Sequence, residues 1–91
     1  MMGSYKSDVP NVIIRDAWER SGMTMYELAK RLGKFRTMKG KRVPDIVACQ
    51  RTLGLKPYKK PHKQWFTTHM RLRTAIMYAE ALELDPVDLG L

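Results

Sequence analysis

One cysteine, two histidines and no long apolar run set the first limits on this chain of 91 residues. Cys49 has no partner for an internal disulfide, so nothing points to an oxidising compartment. With two histidines it leaves too few soft ligands for a structural zinc, and neither a metal nor a cofactor is expected. No stretch approaches the roughly 20 apolar residues of a membrane span, and the N-terminal residues lack the apolar centre of a secretory signal. Gly3 comes one place too late after Met1 for a myristoylation pattern. Residues 1–8 read as a flexible tail, residues 9–91 as a single domain, and no membrane partner is expected.

The parts of a catalytic site are missing as well. Gly33 and Gly40-Lys41 enclose six residues where a phosphate-binding loop has four, and Arg42 stands where that loop needs Ser or Thr. Cys49 falls on the apolar stripe of its segment, where an inert packed thiol is the common case. His62 sits in a basic loop and His69 at a helix start, so neither makes a convincing base for it. Glu80, Glu83, Asp85 and Asp88 read as a solvated face and a helix cap rather than a Mg²⁺ site. No enzyme activity is expected.

Positive charge is abundant, and it is concentrated. The net charge is +8, but residues 34–73 hold twelve Lys/Arg against one acid, whereas residues 74–91 hold four acids and no base. A solvated face normally mixes both signs, so this middle segment reads as the side turned towards a polyanion. Pro44, Pro57 and Pro61 interrupt it, which argues against one basic amphipathic helix lying on a membrane.

Helix signals are distributed along the whole chain. Asp8 or Asn11 can cap a first helix running to Ser21, with Ile14, Ala17 and Trp18 buried and Gly22 as its stop. Thr24 to Gly33 is a fully punctuated second helix. Thr24 can accept the Glu27 N–H while the Glu27 carboxylate reaches back to Thr24, Met23 can staple onto Leu28, and Gly33 closes the run. Lys34 to Arg42 has five basic residues and no hydrophobic period, and reads as a mobile, positively charged loop. Pro44 and Asp45 open a third helix with Ile46, Cys49 and Leu53 at helical spacing, ended by Gly54. Residues 55–66 suggest a loop or short β-hairpin anchored by Tyr58, Trp65 and Phe66. Thr67 or Thr68 can cap the longest helix, with the stripe Leu72, Ala75, Ile76, Ala79 and Leu82. Asp85-Pro86 starts a last turn with Leu89 inward. The expected fold is mainly α, a compact bundle of about five short helices with room for one small β-hairpin near residues 55–66.

Ile14, Ala17 and Gly22, the segment Thr24 to Gly33, and the closing run from Ala79 to Leu89 together resemble helix-turn-helix domains of the phage repressor and Cro family. That resemblance implies operator DNA as partner, a bracing helix over Met25 to Leu32, and a reading helix over Asp45 to Leu53 lying in the major groove. It departs from the family between the two, where some ten residues replace a turn of about three. A competing alignment makes Phe35 to Lys39 the reading helix, with Gly40 to Pro44 as the following turn.

On this map the base-reading candidates are Asp45, Ala48, Gln50, Arg51 and Thr52, with Gln50 able to pair with adenine and Arg51 with guanine. The phosphate-contact candidates are Thr24, Tyr26, Lys34, Arg36, Lys39, Lys41, Arg42, Lys56, Lys59, Lys60 and Lys63. The expected role is a small prokaryotic or phage repressor that binds double-stranded DNA, in the cytoplasm or nucleoid of a bacterial host. A homodimer stays open, since no exposed heptad or apolar patch supports one. Two alternatives are an excisionase-like factor that bends DNA with the Pro57 to Phe66 segment, and an RNA-binding protein that stacks Tyr58, Trp65 and Phe66 on unpaired bases.

Overall fold

Among the described residues thirteen apolar or aromatic side chains form the buried core, and they come from Val9 to Ala29, from Cys49 and Leu53, and from Met70 to Leu82. The structure, a computed structural model, describes residues 8–61 and 63–91, with the side chain of Lys60 outside that description. Most of the expected tail and His62 therefore lie outside the described residues, while Asp8 opens the first strand. In order, the elements are β1 (Asp8–Pro10), α1 (Asn11–Ser21), α2 (Met25–Leu32), β2 (Phe35–Met38), β3 (Lys41–Pro44) and α3 (Ile46–Thr52). Then follow β4 (Tyr58–Lys60), β5 (Lys63–Trp65), β6 (His69–Arg71), α4 (Leu72–Ala81) and a 3₁₀ turn (Pro86–Leu89).

The expectation of a mainly α bundle of five helices is therefore corrected. Among the described residues there are four α-helices and three separate two-stranded antiparallel sheets, β1–β6, β2–β3 and β4–β5, a mixed α/β fold. The hairpin anticipated within residues 55–66 is present as β4–β5, with Tyr58 opposite Trp65. The other two sheets replace features expected to be loop or helix.

The largest difference lies at residues 35–44, which form a regular hairpin rather than a mobile loop. Phe35 pairs with Pro44, Arg36 with Val43, Thr37 with Arg42 and Met38 with Lys41. The two residues left at the tip, Lys39 and Gly40, have φ of 52° and 79°. Positive φ at both central positions makes a type I′ turn, whose twist matches that of the flanking strands. All four residues of β2 are exposed, so no alternation of apolar and polar residues marked the strand. The competing alignment that placed a reading helix over Phe35 to Lys39 is excluded by the same pairing.

The third sheet joins the strand that precedes α1 to the strand that precedes α4. Val9 lies opposite Met70, both are buried, and their neighbours on each side are exposed. Three-residue strands with one inward residue are too short to show a period. This pairing also moves the start of α4. Neither Thr67 nor Thr68 caps it: Arg71 holds the N-cap position with no side-chain bond, Thr67 O accepts from Asn11 Nδ2, and Thr68 Oγ1 lies 2.9 Å from His69 Nδ1. At ten residues, α4 is also one shorter than α1.

The second helix forms as its punctuation dictates. Thr24 Oγ1 accepts from Glu27 N at 3.1 Å, and Gly33 at φ 72° returns its N–H to the last turn. The Glu27 carboxylate does not complete a reciprocal box: its Oε2 accepts from Arg31 Nε at 3.2 Å, one turn on. Leu28 and Ala29 are fully buried against the core, to which α1 contributes Ile14 and Ala17 and α4 contributes Ala75, Tyr78 and Ala79. Trp18, Met23, Ile46 and Leu89 pack around it. Asp85 caps the closing turn through Val87 N at 3.0 Å, and Arg31 Nη1 donates to Glu83 across from α2.

The first helix opens differently from expectation. Pro10 occupies its N-cap position without a side-chain bond, and Asn11 is buried, donating from Nδ2 to Thr67 O at 2.6 Å and to Thr52 O at 3.2 Å. Its side chain thus ties α1 to the end of α3 rather than capping its own helix. No helix among the described residues is long and apolar enough to cross a membrane.

Candidate nucleic-acid interface

The third helix is short, and both its ends are fastened. Asp45 caps the start, its Oδ1 accepting from Ala48 N at 3.1 Å. At the other end the carbonyls that a helix leaves unpaired are taken up by α1: Asn11 Nδ2 donates to Thr52 O and Arg15 Nη1 to Leu53 O at 3.1 Å. Gly54, at φ 77°, turns the chain away beneath these groups. Cys49 and Leu53 are fully buried on the inward side, and Ile46 packs beside them. Burial pushes the Cys49 thiol up, and it does the same to the Tyr78 hydroxyl, which lies against Cys49 and Thr52.

Two hairpins frame this helix along the chain. β2–β3 ends one residue before Asp45, and its base is closed by Asp45 N donating to Lys34 O at 2.8 Å. β4–β5 follows the helix and lies along its flank. There Val47 and Arg51, one turn apart on α3, border an open groove of about 400 Å³ with Lys56, Pro57, Lys59 and Gln64. The Arg51 guanidinium carbon stands 5.6 Å from the centre of the Tyr58 ring, and Tyr58 stacks on Trp65 at 5.5 Å with the planes 20° apart. Arg51 Nε is buried with no hydrogen-bond partner among the described residues. A buried donor left unpaired beside an open basic groove calls for an acceptor.

The base-reading candidates thus occupy unequal positions. Asp45 is engaged as a cap, and the Thr52 hydroxyl donates back to Ala48 O at 3.0 Å, so both have local work. Ala48 and Gln50 are half-buried, and Arg51 leans towards the second hairpin. Among the phosphate candidates, Lys34, Arg36, Lys39, Lys41 and Arg42 are all exposed on or beside β2–β3, and Lys56, Lys59 and Lys63 are exposed on or beside β4–β5. Lys60 is the second hairpin's remaining cation, its side chain not described. Thr24, the N-cap of α2, and Tyr26 on that helix are exposed, apart from both hairpins in sequence, with Lys30 Nζ 5.6 Å from the Tyr26 ring.

Sequence reasoning missed Val47, Gln64, Asn11 and Arg15. Val47 could have been found, since it falls off the Ile46, Cys49 and Leu53 stripe of its own helix. Gln64, Asn11 and Arg15 become relevant only through contacts between segments distant in sequence. Among the described residues no group of three His, Cys, Asp or Glu is placed to hold a metal ion. Comparison with protein-family models, curated proteins and solved structures finds no match to this chain.

Proposed function

We propose that the chain is a sequence-specific double-stranded DNA-binding protein, a small prokaryotic or phage regulator of the repressor and Cro type that acts by occupying an operator in the bacterial cytoplasm. The reading rests on one observation: a short helix anchored at both ends, preceded and followed by hairpins on or beside which eight exposed cations gather, with Asp45 as the one acid in that stretch of sequence. A helix held that firmly can present a fixed face to base edges, and the cations on either side supply charge to phosphates without reading sequence. In this arrangement α2 braces, α3 reads through Ala48, Gln50 and Arg51, and the hairpins grip. The chain carries no catalytic role in this reading.

Titration of a labelled duplex with the protein at increasing salt tests the proposal. Neutralising roughly six phosphates predicts an affinity loss of about a thousandfold between 50 and 200 mM salt. A flat response removes the argument. On a site obtained by selecting bound genomic fragments, Arg51→Ala should lower preference over random duplex by about 1–3 kcal/mol if it reads a base, while Lys41→Ala should weaken all sequences alike. Footprint length on that site distinguishes a monomer on one half-site from a dimer on two.

A second reading has support of its own. Phe66 is 51% exposed and Trp65, whose other side stacks on the half-buried Tyr58, is 37% exposed, so two of the three aromatics offer surface for stacking on unpaired bases. Competition between single-stranded RNA and duplex DNA separates the two: tighter binding to the single strand would replace the operator reading.

A further inference from the structure

We propose that the β2–β3 hairpin is a DNA-deforming arm whose tip enters the minor groove beside the major groove occupied by α3, and wedges Met38 against the base stack. The inference rests on the duplex-DNA reading above. A two-stranded hairpin is marginal by itself in water, and this one gains little from the core, since its side chains from Phe35 to Arg42 are exposed. Its shape is held locally instead, by the type I′ turn at Lys39-Gly40 and by the bond from Asp45 N to Lys34 O that closes its base.

Strand register sorts the side chains onto two faces. Phe35, Thr37, Arg42 and Pro44 share one, where the Arg42 guanidinium covers the Phe35 ring at 4.4 Å and Pro44 is buried. Arg36, Met38, Lys41 and Val43 share the other. Met38 is 48% exposed, faces Lys41 directly across the ladder and adjoins Lys39 at the tip. An apolar side chain held out at a tip among cations is poorly suited to water and well suited to a groove with anionic walls and an apolar floor. That is the chemistry by which apolar wedges part base steps.

The reach is also adequate. Four residues of β2 span about 13 Å, to which an extended Met or Lys side chain adds its own length. The neighbouring minor groove lies half a helical turn away, about 17 Å from the centre of the major groove.

The test uses the full chain and a mixed-sequence duplex of about 30 base pairs carrying a donor and an acceptor dye at its two ends, with affinity and energy transfer read in the same titration. Wild-type protein should raise the transfer efficiency of the bound duplex. Met38→Ala, which changes no charge and leaves the backbone ladder in place, should bind within about threefold of wild type and lose most of that rise, because the phosphate contacts that dominate affinity remain. Met38→Leu should restore it. Binding with no rise for the wild type, or the same rise for Met38→Ala, overturns the wedge and leaves the DNA reading intact. Failure of the wild type to bind duplex at low salt overturns both.

Discussion

Replacing Gly54 by alanine tests how the end of α3 is fastened to α1, and its cost can be worked out group by group. At φ 77° an alanine pays for the left-handed conformation, about 1 kcal/mol. A methyl built on Gly54 would also stand 2.7 Å from Thr67 O, 3.0 Å from Asn11 Nδ2 and 3.3 Å from Arg15 Nη1. Thr67 O is backbone and cannot swing away. It already accepts from Asn11 Nδ2 at 2.6 Å, so moving it disrupts the clamp on Thr52 O as well. Two hydrogen bonds weakened at about 1 kcal/mol each bring the total to about 3 kcal/mol. Gly22→Ala is the control: φ is 73°, but nothing lies within 4 Å of the added methyl, so only the backbone cost of about 1 kcal/mol applies.

Urea unfolding of the two variants should therefore differ by about 2 kcal/mol, roughly 1 M in midpoint for a chain of this size. Asn11→Ala should be less than additive with Gly54→Ala, because both remove the same clamp. Equal midpoints for Gly54→Ala and Gly22→Ala would refute the argument. They would mean that the α1 contacts do not hold the end of α3.

Three further outcomes follow from local geometry. Asp45→Ala removes the cap on Ala48 N and should cost about 1 kcal/mol in thermal or urea unfolding, with Asp45→Asn retaining most of it. The Cys49 thiol is fully buried and pushed above its usual range by burial, so a thiol reagent should label it only as fast as the protein unfolds. The guanidinium of Arg31 holds the Glu83 carboxyl below its ordinary range, so that its contribution to stability is present above the unfolded-state value and is lost as pH falls through the folded one. Glu83→Gln should therefore flatten the acid side of the stability profile, by a small and salt-sensitive amount because both partners are solvent-exposed, as melting curves from neutral to acid pH would show.

The elements legible in the sequence are those whose signals are local. Thr24, Glu27, Leu28 and Gly33 lie within one short span and each serves the same helix, so α2 is readable from its own residues. The stripe Ile46, Cys49 and Leu53 likewise placed α3 and its inward face. The β2–β3 hairpin was hidden for a physical reason: exposed along all of β2 and on the tip half of β3, it needs no apolar alternation, and Lys39-Gly40 lacks the Asn or Asp that usually announces a type I′ turn. β1 and β6 are hidden because their pairing joins segments about sixty residues apart, with Val9 finding Met70. The candidate interface divides in the same way. Its cations are plain in the composition, but their placement on two hairpins around α3, and the hold of Asn11 and Arg15 on that helix, depend on contacts that no local window contains.

The hydrogen bond from Asp45 N to Lys34 O has an architectural consequence. Because the chain leaves and returns at one point, the whole β2–β3 excursion is topologically a side branch, and the body beneath it is already closed. Such a branch can be shortened, lengthened or exchanged without threading the rest of the domain differently, at a loop-closure cost that rises only slowly with length. A change in the β2–β3 hairpin and a change in α3 are thus separable in this chain, for selection and for the protein engineer alike.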